Sequence, residues 1–323
     1  QWVALPLALH GVVVKKDGTT VTLNIGDKPG DPVFYISDLL IHLAADQMGK
    51  TAAKVIEGDS LNIIIGSEPK KDTDKDPVKT AILDILKEQY GIDEEDFISA
   101  ELEAVPAGHA RDLGFDRSMI MGYGHDDRVC GYAAFKALLD IETPEKTAVC
   151  VLADKEEIGS MGITGMQSAA FDTFMQDLCE SQNVALRVCY ENAFCLSADV
   201  TAAYDPNFAE VYEKRNAAYI NGGVGICKYT GARGKSGSSD ANAETVGYVR
   251  QVLDNAGVRW QICELGKVDE GGGGTVAQYM ANRNIATLDA GVPVLSMHAP
   301  FEVVAKLDCY EMYRACKALY QAH

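Results

Sequence analysis

From Phe97 onward, the chain alternates between short runs of strand-forming residues and longer segments with helical periodicity. The predicted strands are residues 147–153, 184–190, 258–264 and 292–297. The predicted helices are residues 163–181, 242–256, 275–284 and 301–321. Alternation of this kind predicts an α/β layer fold with a largely parallel sheet. Ligands of such folds bind at the carboxyl ends of the strands, so the residues there are the first functional candidates.

The beginning of the chain has a different pattern, which predicts a small α+β domain. Residues 1–35 combine short apolar runs with turn signals, which is typical of strands and hairpins. Helices are predicted over residues 38–48 and over residues 78–90, where Gly91 ends the second one. We therefore predict two domains, residues 1–96 and residues 97–323.

Charge and composition exclude several classes of protein. The 323 residues carry a formal net charge of −18, which argues against nucleic-acid binding, because neutralising phosphates needs clustered Lys and Arg. The longest apolar run, residues 2–14, is interrupted by Pro6, His10 and Gly11, so no membrane span is predicted. The nine cysteines are scattered without Cys-x-x-Cys pairs, which indicates reduced thiols and a cytoplasmic protein.

Four short segments place acids or a histidine where a strand ends or a helix begins. They are His125-Asp126-Asp127-Arg128, Asp154-Lys155-Glu156-Glu157-Ile158-Gly159-Ser160, Ser197-Ala198-Asp199 and Ser296-Met297-His298-Ala299-Pro300. Each segment alone has an ordinary structural interpretation, such as a helix cap, a solvated acidic turn or a histidine satisfied in the core. Together they supply the carboxylate and imidazole ligands that suit zinc, manganese or cobalt.

The adjacent acids Glu156 and Glu157 fit hydrolysis with two metal ions. Adjacent carboxylates at the end of a buried strand repel one another unless a cation or a proton compensates. Metals about 3.5–4 Å apart need a bridging carboxylate and further carboxylate or imidazole ligands. An unligated carboxylate must also take the proton of the attacking water. One of the two glutamates can bind a metal while its neighbour acts as the general base.

Four motifs match one known family in order and spacing. They are HDDRVCGYAAFKAL at residues 125–138, DKEEIGSMGITG at 154–165, SADVTAAYDPNF at 197–208 and VPVLSMHAP at 292–300. The chain thereby resembles the aspartyl aminopeptidase family of dinuclear metallopeptidases over essentially its whole length. The resemblance implies a three-layer α/β catalytic domain with a largely parallel mixed sheet, here residues 97–323. It also implies a smaller α+β dimerisation domain, here residues 1–96.

The resemblance assigns a role to each candidate residue. It implies that Asp126 bridges two divalent metal ions, with zinc as the first expectation and cobalt or manganese as alternatives. Glu157 and His298 would bind one of these ions, and Asp199 would bind the other. Glu156 would be the general base that activates the water bridging the metals. The implied reaction is the removal of the N-terminal residue of peptide substrates.

The resemblance also implies an assembly. Family members form dimers that build tetrahedral dodecamers, so we expect self-association. The small-domain helix of the family carries two histidines, and the matching positions here are Asp38 and His42. The second histidine of the family reaches the active site of a neighbouring subunit. His42 is therefore a candidate catalytic group acting in trans, with an ordinary surface histidine as the alternative.

One departure from the family pattern keeps an alternative function open. The remaining metal ligand of the family lies in a His-x-Asp motif upstream of the dimerisation domain. Neither His10 nor His42 begins such a triplet, so we expect this ligand in a segment upstream of Gln1. A non-catalytic assembly or scaffold subunit that cannot hold both metals is therefore the alternative to the peptidase.

The implied substrate preference is for acidic N-terminal residues, which the family holds with a basic side chain. Lys228, Arg233 and Lys235 lie in the corresponding segment of this chain. That segment differs from the family pattern in length and glycine content, and related enzymes remove neutral or basic residues. Removal of neutral or basic N-terminal residues is therefore the alternative to a preference for Asp or Glu.

Overall fold

The structure, a computed structural model, describes residues 2–233, 236–237 and 239–322. The chain divides into two compact units, residues 1–109 and residues 110–323. This division falls after the boundary predicted at residue 96, because the strand at residues 100–106 pairs within the first unit.

The first unit is built on a three-stranded antiparallel sheet. Strand β1 (Leu7–Val14) lies between β2 (Thr20–Ile25) and β3 (Ala100–Pro106). The unit also contains helices α1 (Ala45–Met48) and α2 (Pro77–Tyr90), with 3₁₀ turns at Ile41–Leu43, Ala52–Lys54, Gly58–Ser60 and Glu94–Ser99. The hairpin predicted near the start of the chain is confirmed, as is the helix that ends at Gly91.

The helix predicted over residues 38–48 is largely wrong. Only a 3₁₀ turn at Ile41–Leu43 and the four-residue helix α1 form there. Leu40 is 57% exposed and Leu43 72% exposed, so the leucines that favoured a helix are not buried within this unit. Packing of an apolar face supplies most of the stability of a short helix, and without it the propensity of this segment is insufficient.

The second unit contains eleven strands and six α-helices among the described residues. The strands are β4 (Arg111–Leu113), β5 (Met119–Gly122), β6 (Phe194–Ala198), β7 (Thr201–Ala202), β8 (Val224–Cys227), β9 (Gly231–Ala232), β10 (Trp260–Ile262), β11 (Gly272–Gly273), β12 (Ala286–Gly291), β13 (Pro293–Leu295) and β14 (Glu302–Ala305). The helices are α3 (His125–Leu139), α4 (Ala170–Ser181), α5 (Leu186–Glu191), α6 (Ala243–Asn255), α7 (Ala277–Ala281) and α8 (Lys306–Gln321). Two 3₁₀ segments are Glu156–Ile158 and Pro206–Val211.

These strands form two main sheets with both parallel and antiparallel pairs. One sheet has the order β10-β8-β12-β6, and the other has the order β4-β5-β14-β13-β7. Strands β10 and β8, β12 and β6, and β13 and β7 pair in parallel, while the remaining pairs of these two sheets are antiparallel. The predicted α/β fold with a mixed sheet is confirmed, although parallel pairs do not predominate.

Strand β6 shows how the layers are arranged. Alternate side chains of a strand point to opposite faces of its sheet. Phe194 and Leu196 pack in a core cluster with residues of α3, α6 and α8, whereas Cys195 packs in a second cluster with residues of α4, α5 and α7. Helices therefore cover both faces of the sheet, as a three-layer fold requires.

Two predicted strands are wrong. Residues 184–190 mostly form helix α5, whose Tyr190 stacks on Phe171 at 6.0 Å between ring centroids. Residues 147–153 form no regular strand, and Leu152 is 67% exposed. Periodicity alone cannot distinguish a short buried strand from a buried helical segment, so tertiary packing decided both cases.

Two of the predicted helices of this unit also differ in extent. The helix predicted from residue 163 begins only at Ala170. In the segment predicted as a helix from residue 301, strand β14 comes first and helix α8 begins at Lys306.

Among the described residues, no helix combines the length and the apolar character needed to cross a bilayer.

Candidate metal centre

All the acids and the histidine predicted for the metal site lie in the second unit. Asp126 is at the start of α3, and Glu157 lies in the 3₁₀ turn of residues 156–158. Asp199 directly follows β6, and His298 lies in the turn between β13 and β14. Four separate segments therefore contribute, and each ligand candidate lies at or just beyond the end of an element.

The structure brings three of these residues together. Ligand atoms of Asp126, Glu157 and His298 all lie within 4.8 Å of one another. The Nε2 atom of His298 is 3.0 Å from Oδ2 of Asp126 and 3.2 Å from Oε1 of Glu157. Two carboxylates and one imidazole at this spacing form a ligand set that suits zinc.

A second group shares Asp126 with the first. Ligand atoms of Asp126, Asp127 and Asp199 also lie within 4.8 Å of one another. Asp127 had no metal role in the sequence-based assignment. The only sequence signal for it was its position beside Asp126, which the helix-capping interpretation explained equally well.

The carboxylates of this second group are crowded, and one of their oxygens lacks a hydrogen-bond partner within the described part of the chain. The buried Oδ1 atom of Asp127 has no hydrogen-bond partner among the described residues. A buried polar atom without a partner destabilises the folded state, and such cases are rare in native proteins. The orphaned oxygen and the close carboxylates together fit a bound cation.

Electrostatics support the same interpretation. Burial, the hydrogen bond with Glu157 and that neighbour's charge raise the pKa of Asp126 to about 7. Burial and the nearby charge of Asp199 raise the pKa of Asp127 to about 9. Burial and the charges of Asp289, Asp126 and Glu156 raise the pKa of Asp199 to about 9. A divalent cation would favour the ionised forms and remove this penalty.

Glu156 belongs to neither of the two groups. It is half-buried, and its pKa is raised, first by burial and then by the charge of Glu157. A raised pKa makes a carboxylate a better proton acceptor near neutral pH. Glu156 is therefore a carboxylate beside the metal ligands that is available for proton transfer.

A large groove opens beside these carboxylates in the second unit. Its volume is about 1330 Å³, and its lining includes Asp126, Glu156, Glu157 and Asp199. Much of the remaining lining is apolar, from residues such as Leu196. Concave, mostly apolar surfaces with a few convergent polar groups are typical of ligand sites.

The other predicted functional residues lie elsewhere. His42 is exposed and lies in the first unit, in the 3₁₀ turn of residues 41–43, so its role in catalysis stays a prediction. In the segment predicted to select the substrate, the ammonium group of Lys228 donates to Oδ1 of Asp240 at 2.5 Å. Arg233 is exposed, and Lys235 lies outside the described residues.

The sequence matches the profile of one protein family along nearly its whole length. Residues 1–320 match the family described as aminopeptidase I zinc metalloprotease (M18). A probable M18 family aminopeptidase 1 from Clostridium acetobutylicum is 54% identical over 316 residues, which span 96% of this chain and 68% of that protein.

Solved structures show the same relationship. The crystal structure of an M18 family aminopeptidase from Thermotoga maritima is 45% identical and superposes with a TM-score of 0.95, covering 99% of this chain and 72% of that one. The dodecamer of S. cerevisiae mApe1 matches with a TM-score of 0.72 at 20% identity, covering 99% of this chain and 69% of that one. At that identity the second likeness concerns the fold alone.

Proposed function

The chain belongs to the M18 family of aminopeptidase I zinc metalloproteases, and on this premise we propose that its carboxylate–imidazole cluster removes the N-terminal residue of peptides with Glu156 as general base. One observation carries the proposal. Asp126, Glu157 and His298 come from three distant segments of the chain, yet their ligand atoms lie within 4.8 Å of one another.

Two divalent ions, zinc before cobalt or manganese, fit the two groups of ligands. Glu157 and His298 would hold one ion, Asp199 with Asp127 would hold the other, and Asp126 would bridge them. A zinc ion there supplies Lewis-acid polarisation of the scissile carbonyl and lowers the pKa of water to about 7. The Asp126–Asp127–Asp199 group has no imidazole among the described residues, and the histidine of the His-x-Asp motif expected upstream of Gln1 stays a prediction.

Glu156 moves the proton in this mechanism. Its carboxylate takes a proton from the attacking water and delivers it to the amine nitrogen that leaves the scissile bond. The raised pKa of Glu156 supports both steps, because it favours acceptance of the proton without making its release prohibitive. Glu157, its neighbour in sequence, contacts His298, which supports its assignment as a ligand.

The decisive experiment compares Glu156→Gln with Glu157→Gln in the zinc-loaded full-length protein. The two substitutions remove the same charge at adjacent positions, so each controls for the other. We expect Glu156→Gln to keep the zinc content and to lower kcat by about 10²- to 10⁴-fold. We expect Glu157→Gln to lose zinc as well as activity.

The outcomes separate the possible assignments. Loss of zinc from Glu156→Gln with retention in Glu157→Gln would mean that the two roles are exchanged. A wild-type protein that binds no zinc and cleaves no peptide would favour the scaffold function. The match to the family over residues 1–320 favours the peptidase.

We also propose a preference for substrates whose N-terminal residue is Asp or Glu, which the family resemblance implies. Lys228 and Arg233 are the described candidates for holding the substrate carboxylate, and Lys228 must leave Asp240 to do so. Comparison of kcat/KM for aspartyl, glutamyl, leucyl and lysyl substrates tests this preference. A higher value for the leucyl or lysyl substrate would exclude it without affecting the peptidase assignment.

The proposal also includes assembly and location. We propose that the protein self-associates as dimers and as a tetrahedral dodecamer, with His42 acting in a neighbouring active site. The fold shared with the dodecameric mApe1 structure supports the assembly. A cytoplasmic location accords with the nine cysteines, all of which are free thiols in the structure. Mass determination in solution tests the dodecamer.

A further inference from the structure

Glu302 is a buried acid that no motif singled out. It is the first residue of β14, it pairs with Gly122 of β5, and its exposed fraction is 2%. Burying a charged side chain is costly unless hydrogen bonds satisfy it. The hydrogen-bond partners of the Glu302 carboxylate therefore show which part of the fold this side chain stabilises.

Both oxygens of the Glu302 carboxylate accept backbone hydrogen bonds from the metal centre. Oε2 accepts from the backbone N–H of Asp126 at 2.9 Å, and Oε1 accepts from the backbone N–H of His298 at 2.8 Å. Asp126 and His298 belong to the same ligand group, and their side chains are 3.0 Å apart. One carboxylate thus joins the main chains of two ligand candidates that are far apart in sequence.

The turn that carries His298 needs such an anchor. Ser296 and His298 adopt φ angles of 58° and 65°, in the left-handed region that residues other than glycine rarely occupy. Residues in that region persist only where surrounding contacts hold them. The hydrogen bond from the His298 N–H to Glu302 is such a contact, and a charged acceptor makes it stronger than a neutral one.

We infer that Glu302 is a positioning residue, whose carboxylate fixes the distance between Asp126 and His298 and so sets the affinity of the Asp126–Glu157–His298 site for zinc. This inference rests on the proposed function, because it presumes that this group binds zinc. Glu302 itself does not contact the metal in this scheme. It acts through the two backbone N–H groups.

The test is the zinc dissociation constant of the full-length protein, measured by competition with a chelator. Glu302→Gln retains the size of the side chain but leaves only one acceptor oxygen for two N–H groups. We expect zinc at this site to bind at least tenfold more weakly, within the range of about 10- to 100-fold that residues supporting metal ligands show. Glu302→Asp keeps the charge but is too short to reach both N–H groups, so we expect a loss in the same direction.

Glu311→Gln is the matched control. Glu311 is also a buried glutamate of the second unit, 6% exposed, and its Oε2 atom accepts from the backbone N–H of Arg259 at 2.9 Å. Its replacement should lower the melting temperature without changing the zinc dissociation constant. A general loss of stability would move the melting temperature of both variants, whereas a positioning role moves zinc affinity only in the Glu302 variants.

Each outcome decides a separate question. Equal zinc affinities for wild type, Glu302→Gln and Glu302→Asp would overturn the inference and leave the proposed function intact. Equal weakening in Glu302→Gln and Glu311→Gln would also overturn it. A wild type without zinc would instead count against the proposed function. If Glu302→Gln does not fold, the affinity of Glu302→Asp decides.

Discussion

The second unit buries acids in two regions that differ in what surrounds them. In the first two turns of α8, Oδ2 and Oδ1 of Asp308 accept from the backbone N–H groups of Asn221 and Gly223, both at 2.8 Å. Glu311 accepts from the backbone of Arg259 and pairs with Arg314 at 3.0 Å. In the candidate metal centre, Asp126, Asp127 and Asp199 lie with a carboxylate oxygen of each within 4.8 Å of the others.

The pKa values reflect this difference. Asp308 has an exposed fraction of 0%, yet its pKa is raised only to about 6, because the two N–H donors favour its ionised form. Asp127 lacks a partner for Oδ1 and faces Asp199, and its pKa is raised to about 9. Buried acids whose oxygens are all supplied with donors have a structural role, whereas crowded acids that leave a buried oxygen without a partner indicate a place for a cation.

The largest difference between the two regions should appear in zinc content and activity when an aspartate of each region is replaced by asparagine. Asp126→Asn should reduce the bound zinc from two ions toward none, because the bridging residue serves both sites, and activity should fall at least 10³-fold. Asp308→Asn, an equivalent change in the other region, should keep the zinc content. Zinc analysis of the two purified proteins measures this. Loss of one ion only from Asp126→Asn would refute the bridge.

Stability against pH should differ between metal-free and zinc-loaded protein. Asp126, Asp127 and Asp199 have folded-state pKa values of about 7, 9 and 9, above the ordinary 3.8. Their protonated forms therefore stabilise the metal-free fold at low pH, and this stability is lost as pH rises through 7 and 9. Zinc replaces those protons, so the zinc-induced rise in melting temperature should grow between pH 5 and 9 by ~5 °C or more.

Thermal unfolding with zinc and with a chelator, at several pH values, measures this effect. Glu156→Gln, which should keep its zinc, should behave like the wild type. A zinc-induced shift that shrinks as pH rises would show that these carboxylates do not bind the ion.

The structural acids should affect stability alone. Asp308→Ala leaves the N–H groups of Asn221 and Gly223 without their acceptor, so the free energy of unfolding should fall by about 2 kcal/mol. Zinc affinity should not change. Asp177→Ala, at an exposed position of α4, should change stability by less than about 0.5 kcal/mol. Denaturant titration distinguishes these changes in the free energy of unfolding. Weaker zinc binding in Asp308→Ala would contradict the assignment of a purely structural role to Asp308.

The smallest effect should come from outside both regions. His42→Ala should lower kcat by about tenfold, equivalent to about 1.4 kcal/mol, and should leave zinc content unchanged. His10→Ala, which removes a histidine paired with Asp27 in the same unit, should leave kcat unchanged. Steady-state kinetics of the assembled protein test the pair. Unchanged activity of His42→Ala would remove this residue from the catalytic machinery.

The sequence located the second-unit candidates through short motifs that place acids or a histidine at a helix start, in a 3₁₀ turn and after two strands. Asp126, Glu157 and His298 could be named from their motifs, and the structure brings them together. Asp127 could not be distinguished from a helix-capping acid. Glu302 gave no signal, because the sequence placed it near the start of the helix predicted over residues 301–321, where an exposed acid is ordinary.

The secondary structure shows the same limit. The helix ending at Gly91 was predictable because its capping signals are local, and Gly91 does adopt the left-handed conformation with φ of 66°. Residues 184–190 were misassigned because apolar content does not distinguish a strand from a helix, and residues 147–153 were misassigned because their apolar side chains are largely exposed, as Leu152 at 67% shows. The secondary structure of such a segment depends on the residues that pack against it, and those residues are distant in the sequence.

The sequence by itself determined the family, the α/β class and the acids and histidine that make up the candidate site, because motifs and periodicity are local properties of the chain. Tertiary structure alone decided which of those acids share a site, which oxygen stays without a partner and which carboxylate holds two ligand-bearing segments together. Those properties depend on distances between residues remote in the chain and on the exclusion of water around them. Both arise only when the sheets and helices pack.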